Sequence, residues 1–248
     1  MTTYDAAFFE YVNSGAIDSA EQLLPLLADK IEIRSVLDVG CGQGAWLSVW
    51  EKLGVDDLTG LDGDYVDREA LLVGHDRFIS HDLTKEFDLN RRYDLVQNLE
   101  VAEHLPEDCA AKFVSSLVKH SDLVLFSAAA KGQGGDNHVN EQDYDYWRAL
   151  FLKHGYIAID YLRPLILHDA RIEPWYRYNT FLYASRERFK ILPTSIQKCR
   201  VDEGNVLVDL SPLLYKLRKV IVGMLPVSTM SRIAKLKERF VAIARRHK

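Results

Sequence analysis

The chain has 248 residues, of which 48% are hydrophobic and 27% are charged, and its formal net charge is −5. This length fits one large domain or a domain with an appendage. The three widely spaced cysteines exclude a disulfide framework and a cysteine metal site, and they favour a reduced, cytoplasmic protein. The first residues lack the pattern of a signal peptide, and no apolar run is long enough to predict a membrane span.

The charge is distributed unevenly along the chain. From Ser211 to Lys248 there are ten Lys and Arg residues against one acid, Glu238, so this end carries +9 and the other 210 residues carry −14. An acidic body disfavours binding along a phosphate backbone, so DNA is not an expected partner.

Residues 1–30 predict a helical cap. An aromatic helix from Tyr4 to Val12 is expected to lie over a ligand entrance, and a second helix is expected from Ser19 to Ala28. Pro25 predicts a break in the second helix.

A glycine loop follows the first predicted strand, which runs from Ser35 to Asp38. Gly40, Gly42 and Gly44 separate this strand from a helix predicted to run from Ala45 to Leu53. Glycines let the backbone approach a ligand closely, and the free N–H groups at a helix start can bind a polar group. This arrangement therefore predicts a nucleotide-type ligand site.

The acid inside the first strand indicates which kind of ligand binds at the glycine loop. Gly-x-Gly-x-Gly departs from the dinucleotide pattern, and Asp38 would repel a pyrophosphate but suits a cation. The segment LDVGCGQG, from Leu37 to Gly44, resembles motif I of class I S-adenosylmethionine-dependent methyltransferases. The resemblance implies S-adenosylmethionine as cofactor; the alternative is an ordinary glycine turn with a capping Asp. The cofactor-binding candidates in this segment are Asp38, Gly40, Cys41 and Gly42, with Cys41 required only to be small.

The second predicted strand, Asp57 to Asp62, ends in an acid about twenty residues beyond the glycine loop, as in dinucleotide folds. Asp62 is therefore predicted to accept the ribose hydroxyls, with Gly63 beside it. Asp64 is predicted to cap a helix from Tyr65 to Leu72.

The third and fourth predicted strands run from Arg77 to Ser80 and from Tyr93 to Asn98. In the family that motif I resembles, an acid after the third strand meets the adenine amino group, which implies this role for Asp82; the alternative is a turn residue. The further cofactor-binding candidates at these strand ends are His81, Asp82, Leu83 and Asn98.

Strands and helices alternate through the rest of residues 31–190. Strands are predicted over Asp122 to Ser127, Tyr156 to Tyr161 and Asn179 to Ser185, with helices over Glu107 to His120 and Asp143 to Lys153. The last two strands are joined by an insertion, Leu162 to Tyr178, that shows no helix pattern, and they fit the antiparallel hairpin typical of the family that motif I resembles. The predicted fold class is α/β: a Rossmann-like, seven-stranded, mostly parallel methyltransferase sheet with its last strand antiparallel and helices on both faces.

A second group of functional residues follows the fourth strand. Glu100, Glu103 and His104 would share one face of a helical turn and could bind a divalent cation, with His138 as a fourth ligand. Glu-x-x-Glu-His resembles the ubiquinone-pathway O-methyltransferases and the small-RNA 3′-end methyltransferases. That resemblance implies Mg²⁺ or Mn²⁺ at these residues.

Three mechanisms remain open for this group. A hard cation could chelate two substrate oxygens and lower the pKa of the attacked hydroxyl. Without a metal, His104 or His138 could serve as a general base. Alternatively, Glu103 and His104 only cap the following helix. The catalytic candidates are Glu100, His104 and His138.

The loop after His138 and the insertion supply polar and aromatic side chains that suit a hydroxylated ring. The candidate substrate residues are Asn140, Gln142, Trp175 and Tyr176, whereas Trp147 is expected to pack in the core. These segments resemble methyltransferases of bacterial polysaccharide and natural-product clusters. The expected activity is O-methylation of a sugar or glycan; the alternatives are RNA 3′-end 2′-O-methylation and a non-catalytic, cofactor-binding scaffold.

Residues 191–248 predict a basic helical extension. Amphipathic helices are expected from Ser211 to Leu225 and from Ser231 to Arg246. One interpretation docks them on the domain or on a second copy of the chain, with the charged side in solvent. The other lays them on an anionic membrane, at its inner face.

Overall fold

A computed structural model describes residues 6–226 and Thr229, with side chains from Asn13 onward. The strands are β1 (Ser35–Val39), β2 (Asp57–Asp62), β3 (Phe78–Ser80), β4 (Leu95–Leu99), β5 (Leu123–Ser127), β6 (Tyr156–Ile159) and β7 (Phe181–Ser185). The helices are α1 (Ala6–Ala28), α2 (Ala45–Lys52), α3 (Ala110–His120), α4 (Tyr144–Lys153), α5 (Leu162–Ile166), α6 (Pro174–Asn179), α7 (Arg186–Ile191), α8 (Thr194–Gln197) and α9 (Leu213–Gly223).

The strands form one sheet in the order β3-β2-β1-β4-β5-β7-β6. Neighbours from β3 to β5 pair in parallel, and β7 runs antiparallel to both β5 and β6. The apolar side chains of the strands are buried on both faces, because α1 and α2 cover one face and α3 and α4 cover the other. The predicted fold class is confirmed.

The N-terminal cap is one helix rather than two. Pro25 lies inside α1, whose backbone continues to Ala28, and the Pro25 carbonyl still accepts a hydrogen bond from the N–H of Asp29 at 2.9 Å. The break predicted at Pro25 is therefore wrong. Close to a helix end, the lost hydrogen bond and the ring crowding disturb few residues, and Leu23, Leu24 and Leu27 anchor this end in the core.

The helix predicted from Tyr65 to Leu72 is replaced by a single 3₁₀ turn, Arg68–Ala70. Asp67, not Asp64, caps this turn: its carboxylate accepts a hydrogen bond from the N–H of Glu69 at 3.1 Å. No side chain of this turn is buried, so little packing favours a longer helix.

The insertion between β6 and β7 contains two short helices, α5 and α6, where a loop was expected. Arg163 of α5 is fully buried and forms two hydrogen bonds with the Asp160 carboxylate, at 2.8 and 2.7 Å. Its guanidinium also donates to the Tyr178 carbonyl at 2.9 Å, which joins α5 to α6. Such short helices depend on tertiary contacts and leave little periodicity in the sequence.

The C-terminal extension is described as far as α9, and the helix predicted from Ser231 to Arg246 lies outside the described residues. The apolar side of α9 does not pack on the domain; its polar side does, through Tyr215 and Lys219. Docking of the apolar side of this helix on the domain is therefore wrong, and docking on a second copy of the chain stays a prediction. Within the described stretch, no helix has the length and hydropathy needed to cross a membrane.

Candidate active site

The glycine loop sits at the carboxyl end of β1, where parallel sheets of this kind bind their ligands. Gly40, Gly42 and Gly44 all have positive φ, at 82°, 53° and 84°. A Cβ on Gly40 would lie 2.3 Å from Cγ2 of Val101, whereas a Cβ on Gly42 would meet no atom within 4 Å. Gly40 is thus required for packing between two loops, and Gly42 borders open space that a ligand can enter.

Buried acceptors lie beside this loop. Asp38 is 3% exposed, and burial raises the pKa of its carboxyl to about 7, against the effect of a hydrogen bond with Gln97. Asn98 is fully buried and donates to the Val39 carbonyl at 2.7 Å; its Oδ1 has no partner among the described residues. A carboxylate and an amide oxygen in this position suit an ammonium or another cationic group.

Asp62 closes the site at the end of β2. Its carboxylate accepts hydrogen bonds from the N–H groups of Gly42 and Gly63, both at 2.7 Å, and from the hydroxyl of Tyr65. Burial raises the pKa of Asp62. The Tyr65 hydroxyl already donates to the Asp62 carboxylate, as a ribose hydroxyl was predicted to do. A bound ribose would therefore compete with Tyr65 for this carboxylate.

Cys41 has a packing role, as the sequence indicated. Its thiol lies against Gly60 of β2, where an added Cβ would approach Sγ to 2.6 Å. Burial raises the pKa of the Cys41 thiol well above its usual value, so the reactive thiolate is disfavoured. All three cysteines, which lie within the described residues, carry free thiols.

The residues after β3 lie at the same edge of the sheet. The N–H of His81 donates to the Asp62 carbonyl at 2.7 Å, and Leu83 is buried. The Asp82 carboxylate is half-exposed and accepts from the N–H and hydroxyl of Thr84, at 3.1 and 2.7 Å, which lowers its pKa. Asp82 therefore forms a turn here, and its contact with adenine stays a prediction.

The second group of predicted residues converges through a loop contact. Glu103 and His104 lie in a 3₁₀ turn, Ala102–His104. The Glu103 carbonyl accepts hydrogen bonds from the N–H groups of Val139 and Asn140, both at 2.9 Å, and this brings His138 to the turn. Ligand atoms of Glu103, His104 and His138 lie within 4.8 Å of one another, and we call these three residues the Glu103 cluster.

The electrostatics of this cluster favour a cation. Glu103 is fully buried, and neither of its carboxylate oxygens has a hydrogen-bond partner of good geometry among the described residues. Burial and the negative charge of Glu100 raise the pKa of Glu103 well above its usual range. Burial and the neighbouring His138 lower the pKa of His104 to about 4, so its imidazole is neutral at physiological pH. A neutral imidazole and a carboxyl that ionises readily only beside a cation fit a divalent metal ion.

Glu100 lies beside Glu103 but is not one of the three residues whose ligand atoms converge. Its backbone is left-handed, with φ of 56°, so the helical face that was to align it with Glu103 is not formed. Its two carboxylate oxygens accept hydrogen bonds from the side-chain amides of Gln133, at 2.8 Å, and Asn179, at 3.1 Å. Glu100 thus holds the loop that carries Gln133, together with α6, at the edge of the Glu103 cluster.

Glu141 supports His138, and sequence reasoning missed it. Nδ1 of His138 pairs with Oε1 of Glu141 at 2.8 Å, and the same carboxylate accepts from the N–H groups of Gly132 and Gly134, at 2.9 and 2.7 Å. Carboxylate–histidine pairs of this kind orient metal-binding imidazoles. The three-residue spacing of His138 and Glu141 was the available signal.

The wall of the cleft is formed by α6. Tyr176 packs edge-on against Trp46 at a centroid distance of 5.0 Å, and burial raises the pKa of its hydroxyl. Trp175 is partly buried and packs against the apolar core that contains Trp46 and Tyr176, whereas Trp147 is itself a core residue. Asn179, at the other end of α6, contacts Glu100, so the helix spans from the glycine loop to the Glu103 cluster.

The other two candidate substrate residues lie beside the cluster. The side-chain Oδ1 of Asn140 accepts from Nε2 of Gln142 at 2.9 Å, while the buried Nδ2 of Asn140 has no partner among the described residues. On the opposite side, α1 covers the glycine loop, because Nδ2 of Asn13 donates to Oε1 of Gln43 at 2.5 Å. The site is thus a cleft between the glycine loop and the Glu103 cluster.

Comparison with known proteins agrees with this geometry. Residues 8–165 match the model of a family described as a methyltransferase domain. Among solved structures, the sugar N-methyltransferase KedS8 from a Streptoalloteichus species has a TM-score of 0.58 and 16% identity, covering 75% of this chain and 97% of that chain. DesVI from Streptomyces venezuelae has a TM-score of 0.52 and 15% identity, covering 71% and 95%.

The methyltransferase domain of bacterial CtHen1-C has a TM-score of 0.53 and 20% identity, covering 68% of this chain and 98% of that chain. No curated protein matches the sequence. The family match spans more than half of the chain, which therefore belongs to this methyltransferase family. It is a class I S-adenosylmethionine-dependent methyltransferase, as motif I implied.

Proposed function

We propose that this methyltransferase transfers the methyl group to a hydroxyl of a sugar or glycan, with the help of a divalent cation, Mg²⁺ or Mn²⁺. The observation that carries the proposal is the buried Glu103 carboxyl, which lies beside His104 and His138 and has no hydrogen-bond partner of good geometry among the described residues. A cation at this position would favour the ionised form of the carboxyl. Neighbouring hydroxyls, as in a sugar diol, are the oxygens that such a cation chelates.

In this proposal, each part of the cleft has one role. Asp38, Asn98 and Asp62 bind the cationic and ribose groups of S-adenosylmethionine, which supplies the methyl group. Glu103, His104 and His138 would hold the cation, which would lower the pKa of the acceptor hydroxyl. Trp175 and Tyr176 supply aromatic surface for a sugar ring, and Asn140 and Gln142 supply hydrogen bonds. These four residues orient the acceptor and take no part in the chemical step.

The metal-free mechanism leaves one candidate general base. His104, with a pKa of about 4, is a weak base near neutral pH. That leaves His138 as the general base, because pairing of its Nδ1 with Glu141 would orient the ring and leave Nε2 to accept the proton. The buried Glu103 carboxyl, which this base would leave without a partner of good geometry, favours the cation instead. The helix-capping role considered for Glu103 does not use its carboxylate, since neither oxygen has a described partner of good geometry.

Two further observations favour a sugar over RNA. The residues before Ser211 carry a net charge of −14, which opposes an RNA backbone. KedS8, which shares the fold, is named a sugar N-methyltransferase. We therefore place the enzyme in the synthesis of a polysaccharide or glycosylated product. The free thiols favour the cytoplasm.

The test combines cofactor binding with acceptor screening. Calorimetry with S-adenosylmethionine, with and without Mg²⁺ or Mn²⁺, is followed by methyl-transfer assays on nucleotide sugars, glycans and an RNA with a free 3′ end. Glu103→Gln and His138→Asn should retain cofactor binding and lose metal-dependent turnover. His154→Asn, at an exposed position, is the matched control.

Each alternative gives a different result. Turnover that ignores added metal and chelators, but is lost in His138→Asn, would replace the cation with a general base. Methylation of amino sugars alone would exclude O-methylation, and methylation of the RNA end alone would exclude a sugar acceptor. Cofactor binding without turnover on any acceptor class would favour the non-catalytic scaffold.

A further inference from the structure

The helix α9 presents its apolar side to solvent. Leu213 and Leu214 are each 80% exposed and Met224 is 78% exposed. Leu217, Val220 and Ile221 are each more than half exposed. These six residues recur at three- and four-residue spacing, so they form one continuous stripe along the helix, which we call the α9 stripe.

The opposite side of α9 holds the helix on the domain through polar contacts. Nζ of Lys219 pairs with the Asp209 carboxylate at 2.5 Å, and Lys219 is 9% exposed. The ring of Tyr215 packs edge-on against Tyr178 at a centroid distance of 5.1 Å. At Gly132, an added Cβ would lie 2.1 Å from the Lys219 carbonyl oxygen, so the backbone of α9 lies directly on this loop. The outward direction of the stripe is therefore fixed by these contacts.

We propose that the α9 stripe docks on an anionic lipid surface. An eleven-residue helix lying flat can bury one apolar face at the boundary of headgroups and acyl chains. Ten of the eleven charged residues from Ser211 to Lys248 are cations, which anionic lipids attract. A second copy of the chain would bring the same positive charge against itself, because the two sides of a symmetric dimer contact are identical.

The position of α9 relates this surface to the cleft. Nη1 of Arg218 donates to the Gln133 carbonyl at 2.9 Å, and the Gln133 side chain donates to Glu100. Lipid docking would therefore place the loop that borders the Glu103 cluster near the membrane. The docking itself does not depend on the acceptor or on the proposed metal.

Flotation of the full-length protein with lipid vesicles tests this proposal. The wild type should float with vesicles of phosphatidylcholine mixed with phosphatidylglycerol, and much less with phosphatidylcholine alone. Added salt should weaken the binding, because it screens the charges. Leu214→Ser combined with Leu217→Ser should reduce partitioning about tenfold or more, because two large apolar side chains are lost from the buried face.

The matched control combines Leu165→Ser with Ile191→Ser, two exposed apolar residues outside α9 that are 56% and 71% exposed. This control should float like the wild type, and both double variants should bind S-adenosylmethionine normally, which separates lipid docking from cofactor binding and folding. The proposal is overturned if the wild type does not float with anionic vesicles, or if the α9 variant and the control behave alike. It is also overturned if light scattering shows a dimer that the α9 variant dissociates while no vesicle binding occurs.

Discussion

Glu103→Gln should make the ligand-free protein more stable while removing the proposed cation site. Glu103 is fully buried beside the Glu100 carboxylate, and neither of its oxygens has a described partner of good geometry. The amide keeps the shape of the side chain, needs neither a buried charge nor the uptake of a proton, and can donate to Glu100. An unsatisfied buried group costs about 1–3 kcal/mol, so a gain of that size is expected at neutral pH. For a chain of this length, this corresponds to about 2–4 °C in Tm per kcal/mol.

The pH dependence of this gain follows from the sign of the pKa shift. The folded protein raises the pKa of Glu103 above its unfolded value. In the interval between the two pKa values, the folded state binds a proton that the unfolded state lacks, so stability falls as the pH rises through it. The advantage of Glu103→Gln should therefore be largest above the folded pKa and disappear below about pH 4, where both states are protonated.

Glu100→Gln is the matched control at the neighbouring carboxylate. Both Glu100 oxygens accept hydrogen bonds from side-chain amides, so replacing one oxygen with an NH₂ group places two donors face to face. This variant should lose about 1–3 kcal/mol. The two substitutions remove the same charge and should change stability in opposite directions.

Urea unfolding at neutral and acidic pH measures these differences, and thermal unfolding with Mn²⁺ measures the site. Mn²⁺ at about a hundred times its Kd should stabilise the wild type by about 3 kcal/mol and leave Glu103→Gln unchanged. The reasoning is refuted if Glu103→Gln destabilises the protein at neutral pH, or if it retains the stabilisation by Mn²⁺.

Three further outcomes concern the cofactor site. S-adenosylmethionine should bind about tenfold more weakly for each pH unit below 7, because the carboxyl of Asp38, with a pKa of about 7, must be ionised to hold a cation. Calorimetry of Asp38→Asn should show weak binding that does not change with pH in this way. Gly42→Ala should lower the stability of the protein by about 1–2 kcal/mol, because of its positive φ, and should weaken cofactor binding. Gly40→Ala should lower the stability by more, because the added Cβ also overlaps Val101. Equal losses of stability in urea unfolding would contradict this. Tyr65→Phe should lower the Kd for S-adenosylmethionine by removing a hydroxyl that competes for the Asp62 carboxylate, and an unchanged Kd would show that no competition exists.

The sequence determined the sheet and the cofactor edge, because the signals for both are local. Short apolar strands, glycines in a left-handed loop and acids at strand ends are encoded within a few residues of one another. The alternation of strands and helices then fixes parallel pairing, which brings Asp38, Asp62 and Asn98 to one edge. For the same reason the core position of Trp147 could be anticipated from its place in a periodic helix.

The tertiary structure alone decided the rest. The sequence grouped Glu100 with Glu103 by helical spacing, but a left-handed residue and a 3₁₀ turn separate their roles, and two hydrogen bonds to the Glu103 carbonyl bring His138 in from a distant loop. The amphipathic pattern of α9 predicted an apolar side without saying what it faces. Side-chain periodicity identifies a face of a helix, whereas the contacts of Tyr215 and Lys219 with residues elsewhere in the fold decide which face meets the domain and which is left exposed.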